Sequence, residues 1–170
     1  MTDDALAAPH AEVEAFVRRA APRLLRVAHA LTGRSADAED IVQEALARVC
    51  AAWPRLRSDG NLDAYARRTL VNLFLNEQRR RRNERRVVVL LGAMPPPEPA
   101  PSAALTDALH LLDALPPKQR AAVALRYVAD LDDQAIAHAL ACSPATVRSQ
   151  ISRALESLRR LDGVKGSVDS

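Results

Sequence analysis

An all-α fold, two small helical domains joined by a proline-rich linker, follows from three features of this 170-residue sequence. Alanine, leucine and arginine dominate and glycine occurs only five times, so local preference is helical along most of the chain. Apolar residues recur at three- and four-residue intervals through several long segments. The stretch "GAMPPPEPAPS", residues 92–102, holds five prolines, a density that favours extended polyproline II over helix. The expected division is a first domain over 1–86, a linker over 87–104, a second domain over 105–162 and a flexible tail over 163–170. Hydrophobic residues make up 48% of the chain, enough for packed cores, but aromatics only 3%.

Several function classes drop out early. No run approaches the roughly 18 apolar residues of a membrane span. The N-terminal "MTDDALAAPHAEVEAF" begins with acids and lacks the basic and apolar regions of a signal peptide. Cys50 and Cys142 give no disulfide framework. A soluble, cytoplasmic protein is expected.

In the first domain, Val13, Phe16, Val17, Ala20, Leu24, Val27, Ala28 and Leu31 follow a helical stripe, with Pro22 either bending that helix or starting a new one. "TGRS" breaks the pattern, and Ser35 is the expected N-cap of the next helix. There Ala38, Val42, Ala45, Leu46, Val49 and Trp53 share one face, while Asp37, Asp40 and Glu44 fall on roughly the opposite one, with Gln43 at its edge. "PRLRSDGN", residues 54–61, reads as a loop, and a third helix starts near Leu62 and runs into "RRTLVNLFLNEQRRRRNERR".

In the second domain, Leu105, Ala108, Leu109, Leu112 and Leu115 mark a helix that stops at Pro116 and Pro117, and residues 118–129 form another. Helices over 132–140 and 144–161 follow, separated by "ACS", with Ser143 as N-cap and Pro144 at the first helical position. Two helices joined by about three residues are a helix-turn-helix pattern.

The last helix buries Val147, Ile151, Ala154, Leu155 and Leu158 and turns Ala145, Thr146, Arg148, Ser149, Ser152 and Arg153 outward. Small and hydrogen-bonding side chains there suit a helix that enters the major groove and reaches base edges, although a solvated helix face has a similar pattern. "RRRRNERR", residues 79–86, sets six arginines against one glutamate, more than a helix C-terminus needs, and phosphate contact is the better explanation. Arg67, Arg68 and Asn72 lie upstream on the same path, with Tyr65 and Phe74 the nearest aromatics, few for extensive base stacking.

Charge is unevenly placed. The net charge is +3, yet "DAEDIVQEALARV" puts four acids into residues 37–44. The helix dipole accounts for Asp37, Glu39 and Asp40 in the first turn, but not for Gln43 and Glu44 a turn later. Two-signed polarity of this kind suits a protein with two partners of opposite charge. A second expectation is that the acidic "DLDD", residues 130–133, attracts the arginine run 79–86. "VVVLL", residues 87–91, either packs on one of the domains or is covered by a partner. His138 and Cys142 have i, i+4 spacing, but no further Cys or His lies near in sequence. No nucleophile, P-loop or dinucleotide motif occurs, so neither an enzyme, a metal nor a cofactor is expected.

Four segments, "ALTGRSADAEDIVQEALARV", "AYARRTLVNLFLNEQRRRR", "LDALPPKQRAAVALRYVADLDDQAIAHAL" and "CSPATVRSQISRALESLRRL", resemble in order regions 2 and 4 of the bacterial extracytoplasmic-function (group IV) sigma factors. The resemblance implies promoter recognition and transcription initiation, with core RNA polymerase, double- and single-stranded promoter DNA and commonly an anti-sigma factor as partners. Asp40, Gln43 and Glu44 match the D-x-x-Q-E pattern that docks on the β′ clamp coiled coil. Arg67, Arg68, Asn72 and Arg79, Arg80, Arg81 and Arg82 match the helix that reads and opens the −10 element, and residues 54–61 match the loop that captures a flipped base. Ala145, Thr146, Arg148, Ser149, Ser152 and Arg153 match the −35 reader, whose domain also contacts the β flap. The family often has glycine where Ala141 stands, and a left-handed alanine there would cost roughly 1–2 kcal/mol. Its usual glutamate is Ala135, which leaves Asp132 without a reciprocal capping partner. A stand-alone helix-turn-helix regulator is the alternative; it leaves "DIVQE" without a purpose.

Overall fold

The computed structural model describes residues 4–95, 97 and 111–166, with the side chains of 4–9, 57–59 and 162–166 left aside. Three helices form the first domain: α1 (Asp4–Thr32), α2 (Ser35–Asp59) and α3 (Leu62–Leu90). The second contains helical residues 111–113 and α4 (Pro117–Tyr127), α5 (Asp133–Leu140) and α6 (Pro144–Gly166). No strand occurs among the described residues.

Helix α1 runs unbroken through Pro22. An interior proline costs about 3 kcal/mol. Phe16, Leu24, Val27 and Leu31 are all buried, and four such side chains contribute about 6–12 kcal/mol. The buried stripe wins. Gly33, at φ 66, ends the helix by donating its N–H to the His29 carbonyl.

Ser35 is not the cap expected of it. Arg34 takes the cap position with extended backbone, and Ser35 is already helical. The Ser35 hydroxyl instead lies 3.2 Å from His29 Nε2, while Thr32 Oγ1 bonds back to the Ala28 carbonyl and organises the turn. A second departure is the segment 54–61. It is helical to Asp59, with Pro54 inside α2. Trp53 is buried and meets the Phe16 ring edge-on at 5.6 Å, which holds that last stretch of α2 against α1. The chain turns only at Gly60, φ 76, whose N–H reaches the Leu56 carbonyl.

Helix α3 starts where expected, capped by the Asn61 side chain, which accepts from Ala64 N–H at 3.0 Å. Ala66, Leu70, Val71 and Phe74 are its buried positions. Beyond Phe74 the helix leaves the core and is supported by Glu77–Arg80, Glu77–Arg81 and Arg80–Glu84 pairs. It continues through "VVVL", where Val87, Val89 and Leu90 are exposed, so the apolar run packs on neither domain.

The second domain follows the helix-turn-helix expectation. Asp132 caps α5 by accepting from Ala135 N–H at 2.8 Å, and Ser143 accepts from Thr146 N–H at 3.1 Å at the start of α6. Between them Ala141 adopts φ 51, ψ 50, the left-handed conformation that favours glycine. Leu105, Ala108 and Leu109 lie outside the described residues, while Leu112 and Leu115 are buried as expected.

The two domains are packed together. Helix α4 lies against α1 and α3, and α5 against α3, so buried side chains of both domains form one continuous cluster. Of the compact and open arrangements that the linker allows, this is the compact one. The expected attraction of residues 130–133 for the arginine run is not what holds it. Asp133 bonds Arg126 on α4 and Arg148 on α6, and Asp132 is occupied as a cap.

Candidate nucleic-acid and protein interfaces

Three surfaces carry the polar residues that the sequence points to. The first is the outer face of α2. Ala38, Val42, Ala45 and Val49 are buried, which turns Glu39, Asp40, Gln43 and Glu44 outward, all exposed. Glu44 accepts from Arg48 at 2.7 Å, one turn on. Asp37 does not belong to this face. Its carboxylate is held by Arg34 and, at 3.1 Å, by Arg81 of α3.

The second surface runs along α3. Arg68 and Asn72 are exposed, and Arg67 is half-buried near the second domain. Further along, the arginine run divides. Arg80 donates twice to Glu77, at 2.9 Å each, and once to Glu84 at 2.7 Å. Arg81 reaches Glu77 at 2.7 Å and Asp37 at 3.1 Å. The Arg80 hydrogen bonds, with further help from Arg81 and against the effect of burial, hold the Glu77 carboxyl down at about 2. This network ties the start of α2 to the outer half of α3. It neutralises Arg80 and Arg81, whereas Arg79 and Arg82 are exposed with no partner among the described residues. The Glu77 spacing to Arg80 and Arg81 is visible in "EQRRRR", but the link to Asp37 needs the tertiary structure. Phe74 is a core residue and Tyr65, half-buried, packs against the core, which leaves little aromatic surface for stacking.

The third surface is on α6. Val147, Ile151 and Ala154 are buried, and Ala145, Thr146, Arg148, Ser149, Ser152 and Arg153 are all exposed. The Arg148 guanidinium donates to the Asp133 carboxylate at 3.1 Å. Arg159 had no place in the sequence-based set, yet it lines a groove of about 410 Å³ with Arg148 and Ser152. Its i+7 spacing from Ser152 was the available signal.

One functional candidate escaped sequence reasoning entirely. Arg120 is buried, lies 5.8 Å from the centre of the Phe74 ring, and donates to the Leu31 carbonyl at 2.9 Å and to Asp113 at 3.0 Å. These partners come from both domains. Among the described residues, no three His, Cys, Asp or Glu side chains form a group that could hold a metal ion. No helix there is long and apolar enough to cross a membrane.

Residues 16–84 match the family model for Sigma-70 region 2, and residues 105–158 match Sigma-70, region 4. An RNA polymerase sigma-E factor of Streptomyces coelicolor is 34% identical over 158 residues, covering 87% of this chain and 84% of that protein. The corresponding factor of Streptomyces avermitilis is 33% identical, covering 87% of this chain and 83% of its own length. Among solved structures, the sigma factor RpoE of Bartonella quintana, in complex with the anti-sigma factor NepR, superposes with a TM-score of 0.68 at 27% identity, over 90% of this chain and 98% of that one.

Proposed function

The chain belongs to the extracytoplasmic-function sigma factors of bacterial RNA polymerase, and from that membership we propose how its three surfaces divide the work of initiation. Exposed Asp40, Gln43 and Glu44 dock on the β′ clamp coiled coil of core polymerase. Carboxylates on this face repel phosphate, which keeps DNA off the docking helix and leaves it to a protein partner. Arg67, Arg68 and Asn72 read and open the −10 element, with Arg79 and Arg82 on the flanking phosphates. Arg80 and Arg81 act mainly as struts, because Glu77, Glu84 and Asp37 hold them. Exposed Ala145, Thr146, Arg148, Ser149, Ser152 and Arg153 enter the major groove of the −35 element, and the surrounding domain contacts the β flap.

On this reading the protein has no catalytic chemistry of its own and works in the cytoplasm, where polymerase and chromosome are. It supplies binding energy that polymerase alone lacks. An anti-sigma factor is a further partner, one that would act by covering these same faces. The observation that carries the division is the separation of an acidic outer face on α2 from a hydrogen-bonding outer face on α6, both exposed at once. Footprinting of the holoenzyme tests it. Ser149→Ala with Arg153→Ala should remove protection at −35 while leaving core binding intact. Unchanged protection at −35 would overturn the assignment.

A further inference from the structure

An ion network links α4, α5 and α6. Asp133 stands in the first turn of α5, where the helix dipole alone favours an acid. That accounts for its charge but not for its contacts. Asp132 already caps the helix by accepting from Ala135 N–H. Both Asp133 oxygens are given instead to arginines of other helices. Oδ1 accepts from Arg126 of α4, and Oδ2 accepts from Arg148 Nη1 of α6 at 3.1 Å. The Asp133 side chain is mostly covered, at 26% exposure, and Arg126 is similar at 30%, whereas Arg148 keeps 64%. A pair with one partner so open to water contributes little to stability. Its main effect is on where the Arg148 guanidinium points.

Arg148 lies near the N-terminal end of α6, the part of a recognition helix that meets base edges. A long side chain loses rotamer freedom when it binds, and one already held loses less. The contact also selects an edge of the guanidinium. Nη1 is taken by Asp133, whereas Nε and Nη2 carry no bond among the described residues. Two parallel N–H groups on that edge match the O6 and N7 acceptors of guanine. They match phosphate oxygens as well, and here the surrounding charge decides. Arg126, Arg148 and Arg159 line one groove of about 410 Å³, with Ile151 and Leu155 also in its wall. Three guanidiniums without an acid would attract phosphate of any sequence. Asp133 sets a carboxylate among them, which removes part of the positive potential and repels phosphate. Arg148 is thereby oriented for a base edge and disfavoured as a backbone contact.

We propose that Asp133 is a positioning residue that sets specificity: it holds Arg148 for bidentate contact with one guanine of the −35 element, and it suppresses sequence-independent attachment of the Arg126–Arg148–Arg159 groove to phosphate. Asp133 touches no DNA itself and acts through Arg148, with Arg126 fixing the carboxylate from behind. This rests on the assignment of α6 to the −35 element given above. A good bidentate contact discriminates about 5-fold to 150-fold against the wrong base, and that selectivity is what Asp133 protects.

The outer face of α6 is exposed in the chain by itself, so the test uses the full chain without polymerase. A DNA duplex pool randomised at its centre is selected on the parent and on Asp133→Asn, Asp133→Glu and Arg148→Ala, and sequencing gives the base preference at each position. A fluorescein-labelled duplex of alternating dA and dT, which contains no guanine, reads sequence-independent binding over a salt series. Asparagine keeps the shape of Asp133 and removes its charge. The parent should prefer guanine at one position, and Arg148→Ala should lose that preference. Asp133→Asn should lower it about tenfold, while affinity for the guanine-free duplex rises about threefold and its salt slope steepens by about one. Asp133→Glu should restore the preference in part and cancel the gain in sequence-independent affinity. A merely structural Asp133 would weaken binding to both kinds of duplex together, and that result would overturn the proposal. So would a guanine preference left unchanged by Asp133→Asn, or a selected sequence indifferent to Arg148→Ala. A parent chain that selects no sequence would overturn it together with the −35 assignment beneath it.

Discussion

Reversing the charge at two positions, Asp40→Lys together with Glu44→Lys, separates docking from folding. Both side chains are exposed on the outer face of α2, and neither touches the core. Among the described residues, the one intramolecular bond lost is Glu44 to Arg48, a pair in which each side chain keeps about half of its surface in water, at 51% and 54%. Such a pair contributes about 0.2–1 kcal/mol, and repulsion between Arg48 and the lysine introduced one turn before it adds a similar small penalty. Thermal unfolding should therefore shift by no more than about 5 °C. Docking responds on another scale. Charges desolvated in a protein interface cost about 2–5 kcal/mol when their partner is lost, which is about 30-fold to several-thousand-fold in affinity. Titration of labelled core polymerase, alongside a melting curve, measures both. Core affinity within a factor of three of the parent would refute the docking role, and a collapsed melting temperature would show that the α2 face does structural work.

Three further outcomes follow from local features. Ala141→Gly relieves about 1–2 kcal/mol of left-handed strain and gives back about 0.4–1 through the freer unfolded chain, so calorimetry should show the melting temperature rising by about 2–4 °C. Glu77 has a folded pKa of about 2, below its ordinary 4.5; its stabilising effect is therefore complete above about pH 4.5 and fades as pH falls toward 2, and Glu77→Gln should flatten that part of a pH–stability curve. With Phe74 in the core and Tyr65 half-buried, few rings are free to stabilise unstacked bases; transcription of promoter point mutants should accordingly depend strictly on both elements, and broad tolerance would contradict this.

Much of the fold was legible because burial follows periodicity. Every residue of the α2 stripe from Ala38 to Trp53 faces inward, and the six outward positions of α6 are all exposed. What escaped depended on contacts between distant segments. Residues 54–61 have loop composition, but Trp53 packing on Phe16 carries the helix past Pro54. Asp37 falls on the acidic face of a helical wheel, yet Arg81, 44 positions away, claims it. Arg120 looks like an ordinary charged position on an amphipathic helix; only the approach of the other domain places Leu31 O and the Phe74 ring around it. Arginine counting had the same weakness, since composition shows six arginines in the run but not that two are held by carboxylates.

The central claim, that this chain confers promoter specificity on polymerase, is tested most directly by run-off transcription. Purified protein is added to core RNA polymerase on a pooled promoter library, with core alone as the control. The account predicts discrete transcripts only when the protein is present, with start sites that align on two upstream elements. Absence of transcripts, with sequence-specific DNA binding retained in the absence of core, would contradict it and point to a stand-alone helix-turn-helix regulator.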